Sequence, residues 1–173
     1  MSAFPVKRPD ARKPSRTLAK GGQEIAFTLL ARRDYSREEL ARKLATRRIP
    51  REEIEGILQD LQDQELLNDR RYARRWASVW VQGKLWGPLR VKMRLLQKGI
   101  PEEIVKETLR NAEEIFPAKE RVRRILAAES KQNEDAPLPL HRKKRLVNLL
   151  RQRGYGWEDI SEALQESGGF AEE

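Results

Sequence analysis

The strongest constraint on this chain is a two-helix segment that occurs three times, at intervals of about 50 residues. The copies read "LARKLATRRIPREEIEGIL" over 40–58, "VKMRLLQKGIPEEIVKETL" over 91–109 and "LVNLLRQRGYGWEDISEAL" over 146–164. Apolar positions align between the copies, with a one-residue slip in the second: Leu44 with Leu95 and Leu150, Ile49 with Ile100 and Tyr155, and Ile54 with Ile104 and Ile160. The turns Ile-Pro, Gly-Ile-Pro and Gly-Tyr-Gly fall at matching places. The pattern therefore predicts three copies of one structural unit.

Each copy is preceded by one further amphipathic helix, predicted over residues 25–32, 69–82 and 118–129. Apolar residues recur at helical spacing, and strand-like alternation is absent. "SREE" at Ser36 to Glu39 is a capping box, which predicts that a helix begins there. Pro50 separates that helix from the next. The predicted fold is all-α, with three tandem three-helix modules in an elongated arrangement.

The flanking and connecting segments differ in composition from the modules. Residues 1–22 are predicted to form a disordered basic arm, because prolines stand among Lys, Arg and Ser with little apolar periodicity. The predicted modules cover residues 23–66, 67–116 and 117–167, and residues 168–173 form a tail. The polar, proline-containing stretch within 130–141 predicts a flexible loop inside the third module.

Positive charge is concentrated along the chain. The sequence has 36 Lys and Arg against 27 Asp and Glu, a net charge of +9. Residues 68–100 carry nine basic side chains against Asp69 alone, and residues 142–153 carry six against none. This distribution predicts a positive stripe and an acidic partner. The sequence has no Cys, no signal peptide pattern and no apolar run long enough to span a bilayer, so we expect a cytoplasmic protein that does not bind membranes.

Residues for catalysis, metal binding or cofactor binding are scarce. His141 is the only histidine and is expected to be solvated, so His-based and Cys-based triads and zinc sites are unavailable. No GxxxxGK[ST] string is present to hold a nucleotide phosphate. Paired carboxylates occur in the first turns of predicted helices, where the helix dipole accounts for them: Glu38-Glu39, Glu52-Glu53 and Glu102-Glu103. We predict a non-enzymatic protein with no catalytic residues, no metal and no cofactor.

The helix that begins at Asp69 carries the clearest candidate surface. Its predicted buried side consists of Tyr72, Ala73, Trp76, Val79 and Trp80, which leaves four arginines outward: Arg70, Arg71, Arg74 and Arg75. Like charges four residues apart destabilise a helix by about 0.2–0.5 kcal/mol per pair, so an anionic partner explains the row better than folding does. The alternative is a solvated face neutralised by acids such as Asp63 and Glu65.

Further basic candidates lie on two later helices. They are Arg90, Lys92, Arg94 and Lys98 in the second module, and Arg142, Lys143, Lys144, Arg145, Arg151 and Arg153 in the third. Of the four tryptophans, Trp76 and Trp80 have core spacing, whereas Trp86 and Trp157 stand near turns and are expected to be exposed.

Four segments of the sequence together resemble a known family. "IAFTLLARRDYSREELARKL" resembles the opening signature of the RecX regulators, "LLNDRRYARRW" their inter-module signature, and "LLQKGIPEEIV" their second-module turn. "LLRQRGYGWEDISEAL" is similar to their C-terminal module, and the resemblance runs from about Gln23 to Ser167. One departure is Arg48, which stands where Gly99 and Gly154 stand in the other two modules.

The resemblance implies a function that the residues alone do not specify. It implies a curved chain of modules that lies along the RecA filament, suppresses its ATPase and strand exchange, and binds single- or double-stranded DNA, most simply as a monomer. The residues themselves leave open a stand-alone DNA-binding protein of the helix-turn-helix type. The missing catalytic groups argue against a third reading, an enzyme that acts on nucleic acid.

Overall fold

The computed structural model describes residues 16–130 and 140–166, and this part of the chain is helical without any strand. Its helices are α1 (Arg16–Arg32), α2 (Arg37–Ala45), α3 (Arg51–Asp63), α4 (Asp69–Ser78), α5 (Pro88–Gln97), α6 (Glu102–Ile115), α7 (Ala118–Ser130), α8 (Leu140–Arg153) and α9 (Trp157–Glu166). A π-helical segment, Val79–Gly83, continues α4. The all-α fold and the tandem three-helix modules are thus confirmed. Over the same residues, no helix has the length and apolarity needed to cross a membrane.

Two boundaries differ from the predicted ones. α1 begins at Arg16, so residues 16–22 are helical where a disordered arm was predicted. Gly22 lets this helix lie close to α3, because an added Cβ would stand 2.7 Å from both Glu53 Oε1 and Ile57 Cδ1. α7 includes Ser130 and α8 starts at Leu140, so residues 130, 140 and 141 are helical where a loop was predicted. The rest of the arm (1–15), of the loop (131–139) and of the C-terminal region (167–173) lies outside the described residues.

The described residues form two compact units. The first contains residues 16–35 and Glu39–Leu67, and the second contains Ser36–Glu38 and the described residues from Asn68 onwards. The first unit has one core, in which α1 packs on α3. The second has two cores, one from α4 to α6 and one from α7 to α9. Leu44, Leu95 and Leu150, aligned in the sequence, are each fully buried in a different core.

The turn after the middle helix of each module has the same backbone geometry. Arg48, Gly99 and Gly154 all have positive φ values, of 61°, 74° and 87°. The next residue donates its N–H back to the aligned leucine carbonyl in every case: Ile49 to Leu44, Ile100 to Leu95 and Tyr155 to Leu150. This left-handed helix end is the one that glycine favours. Arg48 therefore keeps the repeat geometry at a steric cost that glycine avoids.

The aromatic side chains of the second module form a row along α4 and its π-helical extension. Successive rings from Tyr72 through Trp76 and Trp80 to Trp86 are 6.2, 5.7 and 5.4 Å apart, centroid to centroid. Trp80 is buried as predicted, but Trp86 is half-buried rather than exposed, because it stacks on Trp80. Val79 was predicted to be buried and is exposed. The π-helical hydrogen bonding changes the angular spacing at this point, and Val81 is buried there.

The second and third modules meet through two glycines. The Gly87 N–H donates to the Arg153 carbonyl (2.8 Å), and the Leu89 N–H donates to the Gly154 carbonyl (3.1 Å). A Cβ on Gly87 would stand 2.3 Å from the Gly154 carbonyl, and one on Gly154 would stand 2.4 Å from the Arg90 backbone nitrogen. Only glycine allows the two backbones to approach this closely.

Candidate basic interaction surface

The four α4 arginines lie on the outer face of the second module, as predicted. Asn68 caps the helix by accepting the Arg71 N–H (2.9 Å), which sets where the helix begins and which way its side chains point. Tyr72, Ala73 and Ala77 are buried on the opposite side. Four arginine side chains are consequently exposed within two turns of helix: Arg70, Arg71, Arg74 and Arg75.

Glu107 on α6 faces this row, and the sequence patterns did not identify it. Its carboxylate lies 2.6 Å from Arg74 Nη2 and 3.4 Å from Arg70 Nε. The hydrogen bond from Arg74, together with the positive charge of Arg70, lowers the pKa of Glu107 below its ordinary value. One carboxylate therefore stands between two guanidinium groups, and this cluster keeps a net positive charge. The arrangement relieves part of the repulsion expected between Arg70 and Arg74.

The α5 candidates have different surroundings. Arg94 is exposed and donates to the Gln97 side chain (3.1 Å), while Lys92 is half-buried and lies 3.9 Å from Glu102. Lys98 is also half-buried, at the end of α5.

Arg90, the remaining α5 candidate, is engaged at the junction with the third module. Its guanidinium lies 4.3 Å from the centroid of the Trp86 ring, and Nη1 donates to the Gln152 carbonyl (2.9 Å). Arg90 therefore helps to hold α5 against the end of α8, even though its side chain remains exposed.

The α8 candidates spread over the helix. Lys144, Arg145 and Arg151 are exposed, whereas three are half-buried: Arg142, Lys143 and Arg153. Arg142 donates to the Glu129 carbonyl (3.3 Å). Lys144, Arg145 and Arg153 contribute to a cleft of about 540 Å³ that His141 also lines. His141 is exposed, in the first turn of α8.

Trp157 is 57% exposed at the start of α9, as predicted. The Arg151 guanidinium lies 5.9 Å from the centroid of its ring. Two acidic residues, Glu158 and Asp159, follow in the same turn. An anionic partner is therefore better placed on α8 than on the first turn of α9.

A buried arginine, absent from the predicted candidates, lies between the second and third modules. Arg121 on α7 is 2% exposed and donates to the Trp86 carbonyl (2.6 Å) and to the Glu113 carboxylate (3.0 Å). Beside it, the Tyr155 hydroxyl donates to the Leu85 carbonyl (2.8 Å). Burial raises the pKa of Tyr155 to about 12. This group of side chains holds the two modules together and is not available to a partner.

We searched residues 16–130 and 140–166 for clusters of side chains that could bind a metal ion. No three His, Asp or Glu side chains are grouped there in a way that could hold a metal ion. The features that could meet a partner are instead the cationic faces of α4, α5 and α8. The fold and these faces define a class of tandem three-helix proteins with basic outer surfaces.

Comparison with known proteins shows the family. Residues 24–61 match the model of the first three-helix domain of RecX, and residues 68–109 match that of the second. The regulatory protein RecX of Chlorobaculum tepidum is 32% identical over 140 residues, which span 81% of this chain and 84% of that protein. The regulatory protein RecX of Thermus thermophilus is 36% identical over 139 residues, 78% of this chain and 85% of that protein. The chain belongs to the RecX family of regulatory proteins.

Solved structures show the same fold. The crystal structure of RecX from Lactobacillus salivarius superposes with a TM-score of 0.78 at 21% identity and covers 89% of this chain and 99% of its own. At this level of identity the likeness concerns the fold. It agrees with the helix order described above.

Proposed function

We propose that this chain binds the RecA nucleoprotein filament, suppresses its ATPase and strand exchange, and contacts DNA through its basic helix faces. Membership of a family of regulatory proteins supports a regulator. The observation that carries the contact with an anionic partner is the arginine row of α4. In the proposed function the protein acts by binding and catalyses no reaction.

The electrostatics of α4 support a role of the arginine row in binding a partner rather than in stabilising the fold. Arg70 and Arg74 are 63% and 58% exposed at their side chains, so solvent screens their ion pairs with Glu107 and these pairs add little to the stability of the fold. Phosphates or carboxylates of a partner would meet guanidinium groups that are already oriented by the helix. Such contacts, which are charge-assisted, release counterions from DNA and weaken as salt rises.

The direct test is retention of the full chain on RecA filaments formed on single-stranded DNA, compared with the same DNA alone. We expect stronger retention on filaments and a fall in RecA ATPase. Equal retention on DNA alone, with the ATPase unchanged, would instead indicate the stand-alone DNA-binding protein. No retention on filaments at any salt concentration would refute the proposal.

Replacing the four α4 arginines by glutamine tests the surface itself. We expect unfolding free energy to change by less than about 1 kcal/mol, because lost ion pairs and relieved repulsion oppose each other. Loss of two charge-assisted contacts, at about 1.5–3 kcal/mol each, would weaken filament binding about a hundredfold or more.

Glu107→Gln is the matched control, because its expected effect on binding is the opposite of that of the arginine replacements. It removes the negative charge that faces Arg70 and Arg74, so we expect binding to tighten at low salt. If the variant with all four arginines replaced folds normally and inhibits the RecA ATPase as well as wild type does, the row has no role in binding and is an ordinary solvated surface.

A further inference from the structure

The outer face of α5 carries an apolar row that the fold does not use. Leu89, Met93 and Leu96 are 54%, 61% and 41% exposed. No other helix in the described part of the chain leaves three large apolar side chains exposed in one row. Since contiguous apolar surface on a monomer is costly, such a row is typical of an interaction site.

The three side chains share one face because of their spacing. Positions four and seven residues apart on an α-helix fall within an arc of about 60°. The buried residues of the same helix, Val91 and Leu95, point to the opposite side, into the second module. The apolar row thus points directly outward, and the core of this module is complete without it.

Polar and basic side chains border the row on both sides. Arg94 and Gln97, which contact each other at 3.1 Å, lie on one flank. Lys92 lies on the other flank, where its distance of 3.9 Å from Glu102 leaves the ion pair weak. An apolar centre with a charged rim is the usual composition of a protein interface. The charge of this rim selects an acidic partner.

The other basic faces have a different composition. The exposed residues of α4 are four arginines and Ser78. The exposed positions in the middle of α8 are Lys144, Arg145, Asn148, Arg151 and Gln152. Phosphates bind such surfaces, whereas they gain nothing from Leu89, Met93 and Leu96, which also have no ring to stack on a base.

We propose that the α5 row docks an amphipathic segment of a protein partner, with apolar side chains along its centre and carboxylates at its edges. This inference rests on the proposed function and assigns the partner segment to the filament protein. The α4 and α8 faces are then left for phosphates and other anionic groups. Apolar contact at Met93, the centre of the row, supplies affinity, and Arg94 with Lys92 supplies orientation.

Met93→Glu and Met93→Lys form a matched pair for testing the site. Both remove the same apolar side chain at an exposed position, so neither is expected to affect folding, which circular dichroism and melting would check. An acidic partner edge repels the first and attracts the second. We expect Met93→Glu to bind RecA filaments about tenfold more weakly than Met93→Lys at low salt, with the ratio shrinking at high salt.

A triple variant, Leu89→Gln with Met93→Gln and Leu96→Gln, tests the apolar contribution without changing the charge. We expect filament binding to fall about tenfold or more, while affinity for DNA alone stays within about twofold of wild type. A control on α8, Lys144→Gln with Arg145→Gln, should show the reverse, with affinity for DNA alone reduced more than the protein contact.

The outcomes separate this inference from the function on which it rests. If wild type binds filaments and the triple and Met93→Glu variants bind equally well, the docking site is wrong and the proposed function stands. If the triple variant loses affinity for DNA alone and for filaments in the same proportion, the row serves nucleic acid, which also overturns the inference. If wild type itself fails to bind filaments, the proposed function fails and takes the assignment of the partner with it.

Discussion

Replacing the buried Arg121 by methionine should destabilise the second unit without touching any proposed contact surface. The substitution keeps an apolar stem of similar length, so it opens little space. It removes the donor to the Trp86 carbonyl (2.6 Å) in a part-buried position, and a polar group left there without a partner costs about 1–3 kcal/mol. The Glu113 carboxylate is 48% exposed at its side chain and is rehydrated in the variant, so losing its ion pair with Arg121 adds little to the destabilisation. The expected loss of unfolding free energy is therefore about 1–3 kcal/mol.

Arg124→Met is the matched control from the same helix. Arg124 is 62% exposed at its side chain, with Nε 3.6 Å from Glu120, so its removal should cost less than about 0.5 kcal/mol. Urea unfolding followed by tryptophan fluorescence measures both variants, because Trp86 lies at the affected junction. If Arg121→Met unfolds within about 0.5 kcal/mol of Arg124→Met, the assignment of Arg121 as the residue that joins the two modules is refuted.

Two further substitutions test the turn and the junction. Arg48→Gly should stabilise the first unit by about 0.5–1 kcal/mol, measured by urea unfolding. Glycine adopts the φ of 61° without the steric cost that arginine has, although a more flexible unfolded chain offsets part of this gain. A destabilised variant would contradict this reasoning. Tyr155→Phe should cost about 1 kcal/mol at neutral pH through the lost hydrogen bond to Leu85. The pKa of Tyr155 is raised to about 12 in the folded protein, against about 10 in the unfolded chain. The hydroxyl therefore makes its full contribution to the free energy of unfolding below pH ~10, and this contribution is lost as pH rises through ~12. Stability curves of wild type and variant that stay parallel across this range would exclude the buried hydroxyl as the cause.

The modular fold was predictable because its signals are local. Helical spacing, the capping box before α2 and the turns at Arg48, Gly99 and Gly154 each depend on residues a few positions apart. The outward direction of the α4 arginines follows from the same spacing, once Tyr72 and Ala73 are assigned to the core. The π-helical segment after α4 was missed, because its sequence has ordinary helical spacing and the exposure of Val79 depends on how Trp80 and Val81 pack.

The functional candidates were predictable as a set of charges and less so as individual contacts. Arg90 had the same sequence signal as Arg94, yet it contacts Trp86 and the carbonyl of Gln152. Arg121 falls at helical spacing with Ala118, Val122 and Ile125, which lie on the buried face of α7. A charged residue at a core position indicates a buried hydrogen-bonded group.

Steric and periodic rules that act over one or two turns made the threefold repeat, most helix ends and the outward direction of the α4 arginines predictable from the amino-acid sequence. Only the packing of the helices decided that Glu107 stands between Arg70 and Arg74, that Gly87 meets Gly154, and that Arg121 donates to the Trp86 carbonyl. These contacts join residues separated by about thirty to seventy positions, and no local spacing specifies which side chains will meet across such a distance. They form only when whole helices pack, because burial and close approach are properties of the assembled cores.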